Sequence, residues 1–184
     1  MRVITGTARG RVLKTLEGED VRPTTDRVKE AIFSIIQFEL EGRQVLDMFA
    51  GSGQLGIEAL SRGAAYATFT DMSKDAVEVI KQNLLSTGLH KNSAVLQADA
   101  VTFVKNSKKK FDIIFMDPPY SKGILQNALP YAAQAVNDGG VIVCEHPYGE
   151  EMSEDAGRFS IYRRYKYGKV AITVYRNKEG VDAE

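Results

Sequence analysis

The sequence predicts a doubly wound α/β fold with a seven-stranded, mostly parallel sheet of the Rossmann-like kind. From residue 44 onward, short apolar runs alternate with amphipathic stretches, as strands and helices do around a parallel sheet. A glycine-rich turn separates the first apolar run from the first amphipathic stretch. Near the end of the chain, two runs rich in aromatic and β-branched residues flank Tyr167-Gly168. They predict an antiparallel hairpin that closes the sheet.

The front of the chain is predicted to be a small extension of a single domain. We assign residues 1–40 to the extension and residues 41–184 to the domain. Arg2–Thr5 and Gly10–Lys14 predict a small hairpin, and Thr25–Leu40 predicts an amphipathic helix. The apolar stripe of that helix consists of Val28, Ile32, Ile35 and Ile36.

The remaining elements follow in order. The predicted parallel strands are Gln44–Met48, Tyr66–Thr70, Ala94–Gln97, Phe111–Met116 and Val141–Glu145. The predicted helices cover residues 54–62, the stretch between the N-cap Ser73 and the stop at Gly88, residues 101–105 and residues 124–136. Asn137–Gly140 is predicted to be a turn. The hairpin strands are predicted at Phe159–Lys166 and Lys169–Tyr175.

Length and composition are those of one globular domain. The 184 residues are 43% hydrophobic and 26% charged, which is enough to bury a sizeable core. No apolar run approaches the length of a membrane span, and the first residues lack a signal-peptide pattern. The single Cys144 excludes an internal disulfide, so that we expect a cytoplasmic protein without membrane contact. With only His90 and His146 in the sequence, we expect no metal site.

The net charge is zero, which argues against a protein that coats DNA, but basic residues are clustered. One cluster opens the chain, a second lies at residues 105–110, and a third lies near the end. The third consists of Arg158, Arg163, Arg164, Lys166 and Lys169, interleaved with Tyr162, Tyr165 and Tyr167. Basic residues mixed with aromatics suit a nucleic-acid surface, and a solvated sheet edge has the same composition.

The glycine-rich turn marks a ligand site after the first predicted strand. Gly51, Gly53 and Gly56 spell G-x-G-x-x-G, a pattern that would also admit NAD or FAD. Asp47 lies four residues before Gly51, where its carboxylate would repel a pyrophosphate. The same carboxylate would accept a hydrogen bond from a ligand ammonium or from an ordered water.

Two further acids end the next predicted strands. Asp71 is placed to accept from ribose hydroxyls, and Asp99 to meet the exocyclic amine of an adenine. Acids at the carboxyl ends of adjacent strands suit a cationic nucleoside without phosphate, such as S-adenosylmethionine. Each acid taken alone also suits a helix N-cap. We assign Phe49, Met72 and Ala100, which lie beside these acids in the sequence, to the same cofactor site.

The tetrapeptide Asp117-Pro118-Pro119-Tyr120 follows the fourth predicted strand and is our candidate catalytic site. Its prolines have no N–H and a fixed φ, so the backbone is stiff. A carboxylate and a proline carbonyl held side by side match the two N–H donors of an exocyclic NH2 group. Tyr120 offers a ring on which a flipped base can stack. An ordinary Pro-Pro turn after a strand is the alternative.

With these motifs the chain resembles the RsmD family of class I S-adenosylmethionine-dependent methyltransferases, which act on guanine N2 of bacterial 16S ribosomal RNA. The resemblance covers nearly the whole chain. Besides the glycine-rich turn and the tetrapeptide, it includes two more family-specific front segments, Thr5–Arg11 and Arg22–Ala31. Asp71 is a mild departure, since relatives often carry Glu there.

The resemblance implies methylation of a specific guanine N2 of 16S rRNA in the small ribosomal subunit or its assembly intermediate. It also leads us to expect contacts with ribosomal proteins and a monomeric enzyme. We expect residues 1–40 to dock the RNA substrate and residues 41–184 to form the S-adenosylmethionine-dependent methyltransferase domain. The residues that it implies in RNA binding are Arg9, Arg11, Arg22, Thr24, Thr25 and Arg27. For the two threonines, helix capping is the alternative.

Other functions stay open on the residues alone. The tetrapeptide also suits adenine N6 in nucleic acid or a protein glutamine, because those nitrogens present the same paired donors. A non-catalytic assembly factor would be expected to have lost Asp117 or the glycines, and neither is lost. A nicotinamide-dependent oxidoreductase is disfavoured by Asp47. Cys144 lies inside an apolar run, which predicts an inert thiol, and we expect a structural His146 and a supporting Glu145.

Overall fold

A computed structural model describes residues 1–16, 26–120 and 123–178 of the chain. Within these residues the helices are α1 (Asp26–Ile35), α2 (Gln54–Ser61), α3 (Lys74–Thr87), α4 (Ala100–Asn106) and α5 (Ile124–Ala135). The strands are β1 (Gln44–Asp47), β2 (Tyr66–Asp71), β3 (Ser93–Gln97), β4 (Phe111–Met116), β5 (Val136–Pro147), β6 (Asp155–Ala156), β7 (Phe159–Tyr167) and β8 (Val170–Asn177). A 3-10 turn, His90–Asn92, precedes β3.

All strands join one sheet in the order β3-β2-β1-β4-β5-β8-β7-β6. The pairings among β1 to β5 are parallel, and β8 runs antiparallel between β5 and β7. The predicted fold class is confirmed, with its seven strands and its antiparallel C-terminal hairpin. The two-residue strand β6 adds an eighth strand at the edge.

Helices cover both faces of the sheet. The N-terminal hairpin, α1, α2 and α3 pack on one face, where Val45, Phe69, Ile113 and Val143 are buried. Helices α4 and α5 pack on the other face. Successive strand residues alternate between the two cores because side chains alternate along a strand. No helix among the described residues is both long enough and apolar enough to cross a membrane.

The first residues of the chain form the predicted small hairpin, in which Arg2 pairs with Val12. Glu58 of α2 holds it in place, since its buried carboxylate accepts the backbone N–H groups of Ile4 and Thr5 at 2.8 and 3.0 Å. The Lys29 ammonium of α1 lies 3.6 Å from the same carboxylate. The extension therefore shares its core with the sheet.

Most element boundaries lie within one or two residues of the prediction, and two differ by more. The turn predicted at Asn137–Gly140 is wrong, since these residues continue β5, with a register shift against β4. A Cβ on Gly140 would lie 2.6 Å from the Asp112 carbonyl oxygen, so this glycine permits close strand approach and does not form a turn. Helix α1 ends at Ile35 and not at Leu40.

Candidate active site

The sheet topology brings the glycine-rich turn and the tetrapeptide to one edge. β1 and β4 are parallel neighbours in which Asp47 pairs with Phe115, so their carboxyl ends coincide. The Met48 N–H, at the start of the turn, donates to the Phe115 carbonyl at 3.0 Å. β2 ends at the same edge with Asp71. This edge is the position of ligand sites in open α/β sheets.

The glycines of the turn divide into two kinds. Gly51 and Gly53 have φ of +53° and +78°, a conformation that glycine adopts without strain. A Cβ on Gly51 would meet nothing within 4 Å, which leaves the turn open to a ligand. Gly56, in contrast, lies on α2, where a Cβ would overlap the Phe69 ring. Gly56 therefore permits close helix–strand packing.

Asp47 lies inside the protein and braces the turn. Its side chain is buried, and its carboxylate accepts the Gly56 N–H at 2.9 Å. Burial raises the pKa of Asp47 to about 7, and the charge of Asp71 acts in the same direction. The two carboxylates therefore repel each other, which makes this edge unfavourable for an anionic ligand.

Asp71 is held by the backbone around it. One carboxylate oxygen accepts the Gly51 N–H and the other accepts the Ser73 N–H, each at 2.9 Å. Each carboxylate oxygen can accept more than one hydrogen bond, so this fixed orientation leaves room for ribose hydroxyls. Met72, the next residue, is exposed.

The third acid, Asp99, is the N-cap of α4. Its Oδ1 accepts the backbone N–H of Thr102 at 2.8 Å and the Thr102 hydroxyl at 2.6 Å. Both hydrogen bonds from Thr102 lower the pKa of Asp99, and the bond from the hydroxyl has the larger effect. Ala100 is buried at the first position of α4, and Phe49 is half-buried against the core beneath α4 and α5.

The tetrapeptide leaves β4 at this edge. Asp117 is half-buried and Pro118 is buried, whereas Pro119 and Tyr120 are exposed. The Tyr120 hydroxyl donates to the Glu145 carboxylate of β5 at 3.4 Å, the long end of the hydrogen-bond range. Glu145 itself is buried. This contact matches the supporting position expected of Glu145.

Cys144 and His146 are structural, as predicted. The Cys144 thiol is buried, and burial raises its pKa well above the ordinary value, so a thiolate does not form. His146 Nδ1 lies 3.0 Å from the Pro147 carbonyl and Nε2 lies 2.8 Å from the Thr173 hydroxyl. A carbonyl only accepts, so Nδ1 carries the proton, and burial lowers the pKa of His146.

The basic residues implied in RNA binding are not all brought together. Arg9 and Arg11 are exposed on the N-terminal hairpin, whose turn packs on Ser61 at the end of α2 farthest from the glycine-rich turn. Arg27 is exposed in the first turn of α1. It lies close enough to Tyr167, at the tip of the β7–β8 hairpin, to influence its pKa. Three more of these residues, Arg22, Thr24 and Thr25, lie outside the described residues.

One residue of the site was missed by the sequence analysis. Asn83 is buried on α3 and its Oδ1 accepts the Lys14 N–H at 2.8 Å. Its Nδ2 donates to the carbonyls of Lys14 and Ser52, so it joins the N-terminal hairpin to the glycine-rich turn. Its signal in the sequence is an asparagine three residues after Ile80, on the apolar face of the helix. Among the described residues, no group of His, Cys, Asp and Glu side chains could hold a metal ion.

The strand order and the glycine-rich turn after β1 define a class I methyltransferase fold. The solved structure of yhhF from Escherichia coli has this fold, with a TM-score of 0.86 and 33% identity over 96% of this chain and 97% of that one. The chain belongs to the RsmD family, whose model, described as Conserved hypothetical protein 95, matches residues 1–176.

Two relatives match over nearly their whole length. YlbH of Bacillus subtilis is 39% identical over 97% of this chain and 100% of its own length. Ribosomal RNA small subunit methyltransferase D of Escherichia coli is 33% identical over 97% of this chain and 90% of its own length.

Proposed function

We propose that the protein transfers a methyl group from S-adenosylmethionine to the exocyclic N2 of a guanine in 16S rRNA of the small ribosomal subunit. The single observation that carries the proposal is the position of Asp117-Pro118-Pro119-Tyr120 beside the glycine-rich turn, at the carboxyl edge of β1 and β4. The Escherichia coli relative, named as a small-subunit rRNA methyltransferase, supports the choice of substrate.

The chemistry of the cofactor edge fits S-adenosylmethionine. Asp71, together with Asp47 in its ionised form, places negative charge at this edge, which attracts a positively charged ligand and repels a pyrophosphate. Gly51 leaves open space above the turn. We assign the ribose hydroxyls to Asp71 and the adenine to the region of Met72, Asp99 and Ala100. Gly51, Gly53 and Phe49 line the turn, and Asp47 and Gly56 hold its shape.

The protein's part in the reaction is to align and orient the amine. The bound cofactor supplies a sulfonium leaving group and the methyl group. The lone pair of guanine N2 is delocalised into the ring, so N2 is a poor nucleophile. In our proposal the Asp117 carboxylate and the Pro118 carbonyl accept its two N–H bonds, which favours a pyramidal nitrogen with its lone pair towards the methyl group. Pro119 stiffens the loop, and Tyr120 stacks on the flipped base.

We propose that two groups of basic residues contact different parts of the RNA. We assign Arg27 to the RNA nearest the reacting base, and Arg22, Thr24 and Thr25, which lie outside the described residues, remain proposed RNA contacts. Arg9 and Arg11, at the far end of α2, would contact a more distant part of the substrate. Because net charge is zero, we propose that the substrate is a partly assembled subunit whose proteins contribute to docking of the monomeric enzyme in the cytoplasm.

The test is incubation of the protein with labelled S-adenosylmethionine and small subunits from a strain that lacks this activity. We expect label in 16S rRNA, recovered as N2-methylguanine from one position after nucleoside mapping. Protein-free 16S rRNA, tested in parallel, separates the two forms of the substrate. Label found only in DNA, in protein or in N6-methyladenine would contradict the proposal.

A further inference from the structure

The tip of the β7–β8 hairpin lies at the catalytic edge of the sheet. Pro147, the last residue of β5, pairs with Val170, the first residue of β8. The next residue, Tyr148, donates its N–H to the Lys169 carbonyl at 2.8 Å. Tyr148 follows Glu145, which contacts Tyr120, by three residues, or roughly 10 Å of extended chain. An RNA strand that delivers a base to the tetrapeptide would cross this tip.

Tyr148 is an exposed ring held on a fixed backbone. Its exposed fraction is 56%, and the Lys166 ammonium lies 3.6 Å from the ring centroid. An exposed cation–π contact is worth only about 0.5–1 kcal/mol, which does not account for leaving a large ring in solvent. Proteins that bind single-stranded nucleic acid stack its bases on aromatic rings that lie among basic side chains.

The positive charge at the tip differs from that along the rest of the hairpin. Arg158, Arg164 and Arg176 each pair with a carboxylate, those of Asp138, Glu154 and Glu39. Neither Lys166 nor Arg163 has a carboxylate of the described residues within salt-bridge distance; Arg163 lies over the Tyr162 ring, away from the tip, and Lys166 lies over the Tyr148 ring at the tip.

Charged residues of both signs lie near this tip. The Glu150 carboxylate, two residues after Tyr148, accepts from Gln126 of α5 and is held there. Arg27 of α1 is near enough to Tyr167 for its positive charge to act on that residue. Lys166 and Lys169 are the members of the third basic cluster that lie at the tip, where their ammonium groups suit an RNA phosphate.

We propose that Tyr148, Lys166 and Lys169 bind RNA next to the target guanine, an inference that rests on the proposed function. The Tyr148 ring stacks on a base adjacent to the target, and the two ammonium groups lie against its phosphates. The site is a specificity-determining contact outside the reacting centre, because it holds the flanking nucleotide and not the amine.

The test measures Tyr148→Ala, Tyr148→Phe and Lys166→Ala on the small-subunit substrate. We expect Tyr148→Ala to raise KM for the RNA substrate about tenfold, the effect of one lost stacking contact, with kcat and S-adenosylmethionine affinity unchanged. Tyr148→Phe keeps the ring and should keep the wild-type KM. Lys166→Ala should raise KM and reduce its dependence on salt, because one phosphate contact is lost.

The matched control is Tyr162→Ala on the same hairpin. Tyr162 is also exposed, and it also lies beside arginine guanidinium groups. Tyr162 follows Ile161, which pairs with Tyr175 of β8, and Tyr175 in turn pairs with Ile142 of β5. Tyr162 therefore lies roughly 15 Å from the tip, measured along the strands. We expect no change in KM for Tyr162→Ala.

Photocrosslinking from a benzophenone amino acid at position 148 identifies the partner. A crosslink to 16S rRNA beside the methylated guanine supports the site, whereas a crosslink only to a ribosomal protein overturns it. An unchanged KM for Tyr148→Ala in an active wild-type background would overturn this inference and leave the proposed function standing. A wild-type protein that methylates no rRNA would overturn both.

Discussion

Asp117 is the residue on which the proposed chemistry depends most. Replacing it by alanine removes one of the two acceptors for the target amine but leaves the glycine-rich turn intact. We expect Asp117→Ala to lower kcat at least about a hundredfold. The affinity for S-adenosylmethionine, measured by calorimetry, should change less than about threefold. A variant with near-normal methylation would contradict the assignment of Asp117.

Asp47 makes the stability of the folded protein depend on pH. Its pKa is about 7 in the folded protein, against about 4 in an unfolded chain. Between these values the folded state holds a proton that the unfolded state has released, so stability falls as pH rises through this window. Asp47→Asn keeps an acceptor for the Gly56 N–H and removes the ionisation. We expect the variant to gain about 2–4 kcal/mol relative to wild type between about pH 4 and about pH 8.

The measurement is urea unfolding at several pH values. Asp99→Asn is the matched control, because the pKa of Asp99 is lowered and the residue stays ionised in both states above about pH 5. Its stability difference from wild type should therefore be flat from about pH 5 to about pH 8. If Asp47→Asn gave an equally flat difference, the buried ionisation would be refuted.

Gly6 occupies a position where a side chain would reduce the stability of the protein. It has φ of +88°, and a Cβ there would overlap the Ser61 carbonyl oxygen. Gly10 has a similar φ of +82°, with nothing within 4 Å of its Cβ position. We expect Gly10→Ala to cost about 1 kcal/mol of unfolding free energy, from the left-handed backbone alone. Gly6→Ala should cost at least about 2 kcal/mol more, since the overlap is with backbone. Equal losses would show that the overlap is relieved at little cost.

The sequence predicted the residues of the site that lie at strand ends. Asp47, Asp71 and Asp117 could be placed because each acid directly follows or ends an apolar run, and parallel strands end at one edge. Asn83 and Glu58 could not be given their roles, since their partners lie 69 and 54 residues away. Local periodicity carries no information on contacts at that range.

At the scale of elements, Glu58 and Lys29 join α2, α1 and the N-terminal hairpin. Lys29 also donates to the Arg2 carbonyl at 2.6 Å, and both charged side chains are fully buried. Arg62 and two backbone N–H groups still satisfy Glu58 when the ammonium is lost. The Lys29 ammonium keeps no carboxylate of comparable proximity among the described residues when Glu58 is lost.

The two single substitutions should therefore be unequal. We expect Lys29→Met to cost at most about 1–2 kcal/mol and Glu58→Gln about 3–5 kcal/mol of unfolding free energy. In the double variant Lys29→Met/Glu58→Gln the loss should be smaller than the sum, because no buried ammonium is left without a partner. Urea unfolding of the four proteins gives these values. Additive losses would contradict a direct Lys29–Glu58 interaction.

Element boundaries could be predicted wherever a hydrophobic pattern had a clear stop. β4 and the N-cap and C-cap of α3 are where the sequence put them. Asn137–Gly140 was wrongly predicted to be a turn because Asn, Asp and Gly favour turns locally. In the structure, pairing of β5 with β4 keeps this stretch extended. The strand β6 has two residues and therefore no period to detect.

At the scale of the whole molecule, residues 1–40 contribute to the core of the sheet. Val3, Ala8, Leu13, Ile32 and Phe33 are buried in the same core as β1 and β2. Removing them would expose the apolar face that they cover. We expect a chain that starts at residue 41 to lose cooperative unfolding and to aggregate, as measured by circular dichroism and light scattering. A truncated chain with a cooperative transition close to that of the full chain would mean that the front segment serves docking alone.

The fold class could be predicted in full because its signal is the alternation of strands and helices over the chain. The predicted role of residues 1–40 in RNA docking stays a prediction. The sequence could not predict that residues 1–40 share a core with the sheet. The apolar stripe on α1 indicates that one face of the helix is buried, but it does not identify the element that this face packs against.

The position of β8 has a consequence for how the protein is made. β8 is the last strand of the described residues, yet it lies inside the sheet, between β5 and β7. During synthesis, therefore, β7 is made before β8, the strand that joins it to the sheet. Until β8 is made, the edge of β5 that pairs with it has no partner strand. Because β8 joins β7 and β6 to the rest of the sheet, the sheet can close only after Asn177, the last residue of β8, has been made.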